Sequence, residues 1–364
     1  MTIDRRLLSG LDWILVAVTL LISGLGVLTI ASVTRSGPAA GLYLKQLSLL
    51  GVGLVAMLLT LSVDYRRLVD RAPLLYAAGL AALVAVLLVA PVVQGTQRWF
   101  VLGGMRLQPS EFVKLVVALF MAKVLSESRK ESLGLLDLVG PGIGVGLLVV
   151  LIAAQPDLGT AVCLLPIFFT VAFLGGLRPR AIALLVIAMV VLGGLGWQFA
   201  LRDYQKERIY SFLDPSLDPK GVGYQKIQSE IAVGSGGLLG KGFGQGSQSQ
   251  LGYLPARQTD FIFSVLAEEL GFAGVALTLS LYLVLLWRAL DTALVARDRA
   301  GAFLVAGIAA ALTFQVVYNI AMVAGLVPVK GLPLPLMSYG GSSLLSSLLG
   351  VGLILNVRMR RFVN

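Results

Sequence analysis

Long runs of apolar residues separated by short polar connections dominate the chain. Ten runs are long enough to cross the ~30 Å hydrocarbon core of a bilayer as helices, which takes about 20 residues. They cover residues 12–33, 43–63, 73–93, 109–126, 137–155, 158–175, 181–200, 261–287, 301–326 and 340–357. The pattern predicts an all-α, polytopic membrane protein with about ten transmembrane helices, organised as a single domain over residues 1–364.

One long polar stretch interrupts this pattern. Residues 201–259 separate the seventh run from the eighth, and we expect a large extracytoplasmic loop there. Ile227 and Ile231 lie one helical turn apart, which predicts a short helix on the membrane surface. The glycine-rich run 234–246 fits neither the Walker phosphate loop nor the dinucleotide fingerprint, so we interpret it as a flexible loop.

Composition and charge support a membrane protein and suggest its orientation. Hydrophobic residues make up 57% of the chain and charged residues 13%, against about 25% charged residues in soluble domains. Most Lys and Arg residues of the short connections fall on the side that also carries both termini. Because cytoplasmic loops collect these residues, both termini are predicted to be cytoplasmic. The same bias accounts for the net charge of +10 without a nucleic-acid partner.

The lack of certain residue types narrows the possible chemistry. The sequence contains no histidine and a single cysteine, Cys163, inside an apolar run. This excludes Ser-His-Asp and Cys-His catalysis and every histidine-based zinc site. Proton transfer must therefore fall to Asp, Glu, Lys or Tyr.

Ionisable residues at the ends of membrane helices are candidates for function because they are costly at that depth. Asp260 precedes the eighth run and is interpreted equally well as a helix N-cap or as a catalytic base. At a wet interface its pKa is expected near ~4, so the carboxylate would be ionised. Glu268 and Glu269 lie two turns deeper, where a structural pair with a buried cation is favoured.

Three further candidates lie at the same predicted side of the membrane. Glu111 and Lys114 are three residues apart on one helix, so they either form a structural ion pair or contribute to catalysis. Asp157 is favoured as an N-cap over a cation ligand. Arg98 could bind phosphate oxygens in a bidentate manner, while the neighbouring Trp99 also fits an interface anchor.

At these positions the chain resembles the SEDS family (shape, elongation, division and sporulation proteins), over essentially its whole length. Each matching segment is short, but their joint order in one chain is specific. The segments lie at residues 98–99, 108–114, 155–160, 212–215, 223–225, 234–237, 254–255, 259–263, 268–271, 319 and 334–343. The short tail before the first run and the segment 63–68 favour the elongation branch of the family over the division branch.

The resemblance implies a peptidoglycan glycosyltransferase of the bacterial cytoplasmic membrane that polymerises lipid II, a disaccharide-pentapeptide on undecaprenyl diphosphate, into β-1,4 glycan. The essential aspartate of the family matches Asp260, and its conserved glutamate and lysine match Glu111 and Lys114. A class B penicillin-binding protein is the implied partner, beside membrane lipid. The expected substrate contacts are Glu111, Lys114, Arg98, Asp157, Arg208, Lys241 and Ser338, and a divalent cation, Mg²⁺ or Mn²⁺, could assist at the diphosphate.

Two other functions remain open from the sequence. A lipid II flippase would also need polar groups inside the membrane, but it predicts charged residues through the bundle to the cytoplasmic side. A non-catalytic membrane scaffold for wall-synthesis partners explains the helices but not the clustered carboxylates and cations. The clustering of candidates at one side favours the enzyme.

Overall fold

The computed structural model describes residues 10–34, 40–92, 96–102, 105–128, 130, 132–199, 203–218 and 221–361. Helices account for most of these residues. In chain order they are α1 (Trp13–Val33), α2 (Leu42–Ser62), α3 (Tyr65–Asp70), α4 (Ala72–Val89), α5 (Pro109–Glu127), α6 (Leu135–Ala154), α7 (Leu158–Leu174), α8 (Pro179–Phe199), α9 (Asp203–Leu213), α10 (Val222–Ser235), α11 (Ser247–Gln250), α12 (Ile262–Leu294), α13 (Arg299–Val323) and α14 (Gly341–Met359).

Each predicted apolar run falls on one of these helices, which confirms the helical membrane-protein fold. Within the described ranges, seven helices are long and apolar enough to cross a membrane, namely α1, α2, α4, α6, α12, α13 and α14. The number of crossings and the side on which residues 201–259 lie stay predictions. A short antiparallel hairpin, β1 (Phe100–Leu102) with β2 (Met105–Leu107), is an exception to the all-α pattern and precedes α5.

The last two long helices lie at the centre of the bundle. α13 packs against α5, α7 and α12, and α14 packs most extensively against α2. In the most apolar part of α14, 89% of the residues are buried, against 22% in α2. Leucines on the outer helices, such as Leu58 and Leu88, stay exposed, as expected for surfaces that face lipid.

The two ends of α12 define the two ends of the bundle. Asp260 immediately precedes α12, so we name that side the Asp260 end. The opposite side, the Asp12 end, carries a closed network of charges in which Asp12 pairs with Arg288 at 2.7 Å and with Arg358 at 3.2 Å. Arg358 also pairs with Asp291 at 2.6 Å. Because Asp12 precedes α1 and Arg358 lies near the end of α14, the first and last helices meet at the same end of the bundle.

The long polar stretch is largely folded against the bundle. Its helix α10 packs on α12 and α13 through buried residues that include Ser229, whose hydroxyl donates to the backbone oxygen of Val323 at 2.8 Å. Ile227 and Ile231 are partly exposed on the outward face of the helix. A helix therefore forms where the spacing of these two isoleucines predicts one.

The glycine-rich run packs against a break in α12, and this corrects its interpretation as a flexible loop. Gly271 has φ 62° and ψ −160° and divides α12 into two helical segments. The run bridges the break with backbone hydrogen bonds: Lys241 and Gly242 donate to the oxygens of Glu268 and Glu269, both at 3.0 Å. Phe272 returns a bond of 2.9 Å to the oxygen of Gly237.

Glycine is required where these two backbones approach most closely. A Cβ on Gly240 would lie 2.1 Å from the backbone oxygen of Glu269, and one on Gly271 would lie 2.2 Å from the nitrogen of Gly240. Both residues also have positive φ, which side chains disfavour. The glycines therefore allow close packing at the helix break rather than flexibility.

Candidate active site

A cavity of about 140 Å³ opens at the Asp260 end between the start of α7, the helix α9 and the segment before α14. Three basic side chains line it, namely Arg98, Arg208 and Lys330. The remaining lining includes Asp157 and Gly331. Three of the residues expected from the sequence, Arg98, Asp157 and Arg208, are thus brought to one place although they are far apart in the chain.

Asp260 lies directly against this cavity. A Cβ on Gly331 would be 3.5 Å from Oδ2 of Asp260, so the carboxylate faces the backbone of a lining residue. Burial raises the pKa of Asp260 to about 6, and the charges of Arg98 and Arg208 oppose this shift. The expectation of a pKa near ~4 is therefore wrong, because the carboxyl group is shielded from water and not set at a wet interface.

The structure also separates the two interpretations of Asp260. The N-cap of α12 is Phe261, and no side chain caps that helix terminus. Asp260 therefore does not serve as the N-cap, and its buried carboxylate is left for another role. A partly buried carboxyl group beside cations in a cavity is a candidate for function.

The backbone around Asp260 is held from two sides. The side-chain amide of Asn319, on α13, donates to the backbone oxygen of Asp260 at 2.9 Å and to that of Leu332 at 2.8 Å. The hydroxyl of Ser338 donates to the oxygen of Thr259 at 2.6 Å. Ser338 thus supports the backbone before Asp260; the cavity-lining set does not include it.

Asp157 is fully engaged within the protein. It caps α7, accepting from the nitrogen of Thr160 at 3.3 Å, as the sequence favours. Its Oδ2 also accepts from the side chains of Gln108 at 2.7 Å and Ser110 at 3.2 Å. Arg98 approaches its other oxygen at 3.9 Å. Asp157 therefore shapes the cavity wall and places Arg98, whose guanidinium also lies 4.2 Å from the centre of the Trp99 ring.

Glu111 and Lys114 form a buried ion pair at 2.8 Å in the interior of the bundle. Lys114 also donates to Oε1 of Gln315 on α13 at 3.0 Å, and Ser346 on α14 donates to Glu111 at 3.3 Å. The pair joins three helices, and neither member belongs to the cavity lining. This geometry favours the structural interpretation of the pair over direct catalysis.

Lys241 is not brought to the cavity. It pairs with Glu268 at 2.8 Å, and Glu268 also accepts from the backbone nitrogens of Gln248 and Ser249. Glu268 thus has the structural pair with a cation that the sequence favours, and the substrate contact of Lys241 stays a prediction. Glu269, the neighbouring carboxylate, instead accepts from the side chains of Ser32 and Gln250.

Lys330 is the basic residue of the cavity lining that the sequence did not single out. It stands in the connection between α13 and α14, where a single lysine gives no periodic or motif signal. Burial and the nearby charge of Arg208 lower the pKa of Lys330. Only the fold shows that this lysine shares a cavity with two arginines and lies one residue from the glycine that faces Asp260.

Few side chains at the cavity could act as ligands of a metal ion. Within the described ranges, no group of three or more His, Cys, Asp and Glu side chains is placed to hold a metal ion. Asp157 already accepts three hydrogen bonds, so Asp260 is the carboxylate at the cavity that could ligate a cation. One carboxylate supplemented by substrate phosphates is a usual way to hold Mg²⁺.

A bundle of long apolar helices with a buried aspartate beside a cation-lined cavity defines a multi-pass membrane protein with a candidate site for an anionic substrate. Residues 10–362 match the FtsW/RodA/SpoVE cell cycle protein family, and the chain belongs to that family. The predicted family resemblance is thereby confirmed.

Individual relatives match over most of their length. The peptidoglycan glycosyltransferase MrdB of Escherichia coli is 40% identical over 336 residues, covering 90% of this chain and 88% of the relative. The stage V sporulation protein E of Bacillus subtilis is 39% identical over 355 residues, covering 95% and 96%.

Two solved structures share the fold. A chain from a study of polymerization and crosslinking by a peptidoglycan synthase complex has a TM-score of 0.84 and 38% identity, covering 97% of this chain and 99% of the other. The rod shape determining protein RodA of Thermus thermophilus has a TM-score of 0.73 and 34% identity, covering 97% and 98%.

Proposed function

We propose that this protein is a peptidoglycan glycosyltransferase that polymerises lipid II into β-1,4 glycan strands during cell elongation. The observation that carries the proposal is a partly buried carboxylate, Asp260, beside a cavity lined by Arg98, Arg208 and Lys330. Relatives that carry the name peptidoglycan glycosyltransferase align over most of the chain and support this activity. The similarity to a rod shape determining protein supports the role in elongation.

In this reaction a sugar hydroxyl of the acceptor attacks the anomeric carbon of the donor. A C–O bond forms there, the bond from the anomeric carbon to the diphosphate oxygen breaks, and the hydroxyl proton passes to Asp260. Its pKa of about 6 suits a general base, because it is mostly ionised at neutral pH yet binds a proton more readily than an ordinary aspartate. A single displacement inverts the anomeric centre and requires no covalent enzyme intermediate.

Negative charge develops on the departing lipid diphosphate, and the three basic side chains of the cavity are suited to stabilise it. Arg98 and Arg208 present planar guanidinium groups that can donate two parallel hydrogen bonds to phosphate oxygens. Lys330, in the connection between α13 and α14, supplies a compact positive charge. Fixed cations at the position where charge develops lower the barrier without reorganisation during the reaction.

A divalent cation is compatible with this arrangement. Asp260 together with the diphosphate oxygens of the substrate would hold it, and it would add positive charge at the leaving group. The binding roles of Arg98 and Arg208 do not depend on the ion, whereas Asp260 would keep its role as base only through the carboxylate oxygen that does not hold the ion.

The position of the cavity suits a substrate that stays in the membrane. We place the Asp260 end outside the cytoplasm and both termini inside, on the basis of the distribution of Lys and Arg. The lipid tail would then remain beside the helices while the disaccharide reaches the site. A class B penicillin-binding protein, which crosslinks the new strands, is the proposed partner, supported by the similarity to a synthase complex that combines polymerization and crosslinking.

The deciding experiment replaces Asp260 by asparagine. Purified parent and variant are incubated with lipid II in detergent, with and without the partner, and glycan polymer is measured. We expect Asp260→Asn to lose about 10²–10⁴-fold in rate, the usual cost of removing a general base. Asp218→Asn is the matched control outside the cavity lining: its two carboxylate oxygens accept from the nitrogens of Gly221 and Val222, and asparagine keeps one of these two bonds.

The competing functions predict results that differ from those of the enzyme. A folded Asp260→Asn protein with the polymer yield of the parent would refute the catalytic role of Asp260. A flippase predicts that neither protein makes polymer in detergent, because a micelle has no second leaflet. A non-catalytic scaffold also predicts no polymer, with or without the partner, because the proposed partner crosslinks strands and does not polymerise lipid II.

A further inference from the structure

Two buried amide side chains lie one turn apart on the face of α13 that points toward α5 and the Asp260 segment. Gln315 and Asn319 are four residues apart, so they lie on the same face of the helix, ~6 Å apart along its axis. Their relative exposures are 2% and 0%. One contacts the Glu111–Lys114 ion pair and the other contacts the backbone of Asp260.

The chemistry of its partner determines the orientation of Gln315. The Lys114 ammonium, 3.0 Å from the side chain, can only donate, so the carbonyl oxygen of Gln315 must face it. The NH₂ group of Gln315 therefore points away from the ion pair. It is buried and has no hydrogen-bond partner among the described residues.

Asn319 has the opposite requirement. Its amide nitrogen contacts two backbone carbonyl oxygens, those of Asp260 and Leu332, and these can only accept. Both N–H groups of Asn319 are thus used, and its carbonyl oxygen is left over. That oxygen is also buried without a partner in the described ranges.

The two unsatisfied groups are complementary, one a donor and the other an acceptor. Leaving both buried and unpaired is costly, whereas a bridging water satisfies them at little entropic cost. We infer that Gln315 and Asn319 are joined through one bridging water into a hydrogen-bonded link from the Glu111–Lys114 pair to the backbone of Asp260, and that Gln315 is a positioning residue for the catalytic carboxylate. This inference rests on the proposed glycosyltransferase function.

The link explains why an ion pair outside the cavity would matter for the reaction. Asn319 connects Asp260 to Leu332, next to the cavity residues Lys330 and Gly331. A shift of Asn319 would therefore move the base relative to the cations that bind the substrate. Misplacement of a reacting group by about 1 Å can cost about 10² in rate.

The test is a double-mutant cycle with Gln315→Met and Asn319→Ala. We expect each substitution to lower kcat by about 10–100-fold with little change in KM, because the reacting groups are misplaced while the binding cations remain. The double variant should be no slower than the slower single variant, because either substitution alone already breaks the hydrogen-bonded link. Independent structural roles predict losses that multiply.

Thr313→Val is the matched control on the same helix. Its hydroxyl donates only within α13, to the oxygen of Ala309 at 2.8 Å. Combined with Asn319→Ala, it should give losses that multiply in kcat. Thermal unfolding of the same proteins provides a second cycle, in which the Gln315 and Asn319 variants should lower Tm by less together than the sum of their separate effects.

The outcomes separate this inference from the proposed function. A parent protein that makes no polymer refutes the proposed function, and the unfolding cycle still tests the link. If the losses in kcat multiply while the combined decrease in Tm is smaller than the sum of the two single decreases, the positioning role of Gln315 is overturned. Additive changes in Tm overturn the link itself, whatever the activity of the parent.

Discussion

The two ends of α12 carry the same kinds of charged residue in opposite arrangements. At the Asp12 end, two aspartates and two arginines face each other in a network in which Asp12 contacts both Arg288 and Arg358. At the Asp260 end, three basic side chains surround a cavity and Asp260 lies against its wall. Charges that neutralise one another hold helices together, whereas charges arranged around a space can bind a ligand.

The balance of charge at each end supports this distinction. The Asp12 network of two aspartates and two arginines is neutral, and Asp12 itself is almost completely buried. At the cavity, three basic side chains, Arg98, Arg208 and Lys330, outnumber the two carboxylates, Asp157 and Asp260. The surplus of positive charge favours an anionic ligand such as a diphosphate.

The largest effect on stability is expected at the Asp12 end. Asp12→Ala removes the buried one of the two carboxylates that Arg288 and Arg358 share and leaves them only Asp291, and breaking such a buried pair costs up to about 3–5 kcal/mol. Unfolding in detergent measures this loss. The fraction that stays folded should polymerise lipid II at the parental rate, in contrast with Asp260→Asn. A stable Asp12→Ala protein without activity would contradict the assignment of stability to the Asp12 end and of activity to the Asp260 end.

The second prediction concerns the pH dependence of the Asp260 end. The folded pKa of Asp260, about 6, exceeds the unfolded value near ~3.9, so the folded state binds the proton more tightly. Protonation of Asp260 therefore stabilises the folded state, and this stabilisation is complete below about pH 4. It amounts to up to about 3 kcal/mol and is lost as the pH rises through 6.

Asp260→Asn should therefore unfold at a higher temperature than the parent at pH 8 and at the same temperature near pH 4. Polymerisation by the parent should rise with pH through about 6, as the base becomes ionised. Thermal unfolding and initial rates at several pH values test both statements. A rate that is independent of pH between 5 and 7 would contradict the role of Asp260 as the base.

The smallest predicted effect tests the packing of the glycine-rich run. Gly240→Ala combines a positive φ with a clash against the backbone of Glu269 and should cost more than about 2 kcal/mol. Gly237→Ala is the control: it also has positive φ but meets nothing within 4 Å, so strain alone should cost about 1 kcal/mol. Equal unfolding temperatures for the two variants would restore the flexible-loop interpretation.

The sequence by itself determined the membrane helices, because long apolar runs and short polar connections are local properties of the chain. It also determined the family, through short motifs whose order persists over the whole length. The N-cap at Asp157 followed from its place immediately before a helix. The pairing of Glu111 with Lys114 followed from helical spacing, which places residues three apart on one face.

Only the tertiary structure decided the roles that depend on contacts between distant segments. The partner of Lys241 is a carboxylate 27 residues away in the sequence. Lys330, in the connection before α14, lines the same cavity as Arg98 only in the folded protein. The raised pKa of Asp260 likewise depends on burial. Asp260 does not cap α12, because that helix begins after Phe261. Hydropathy and spacing describe one segment at a time, whereas burial, ion pairing and cavities arise from helices that meet in space.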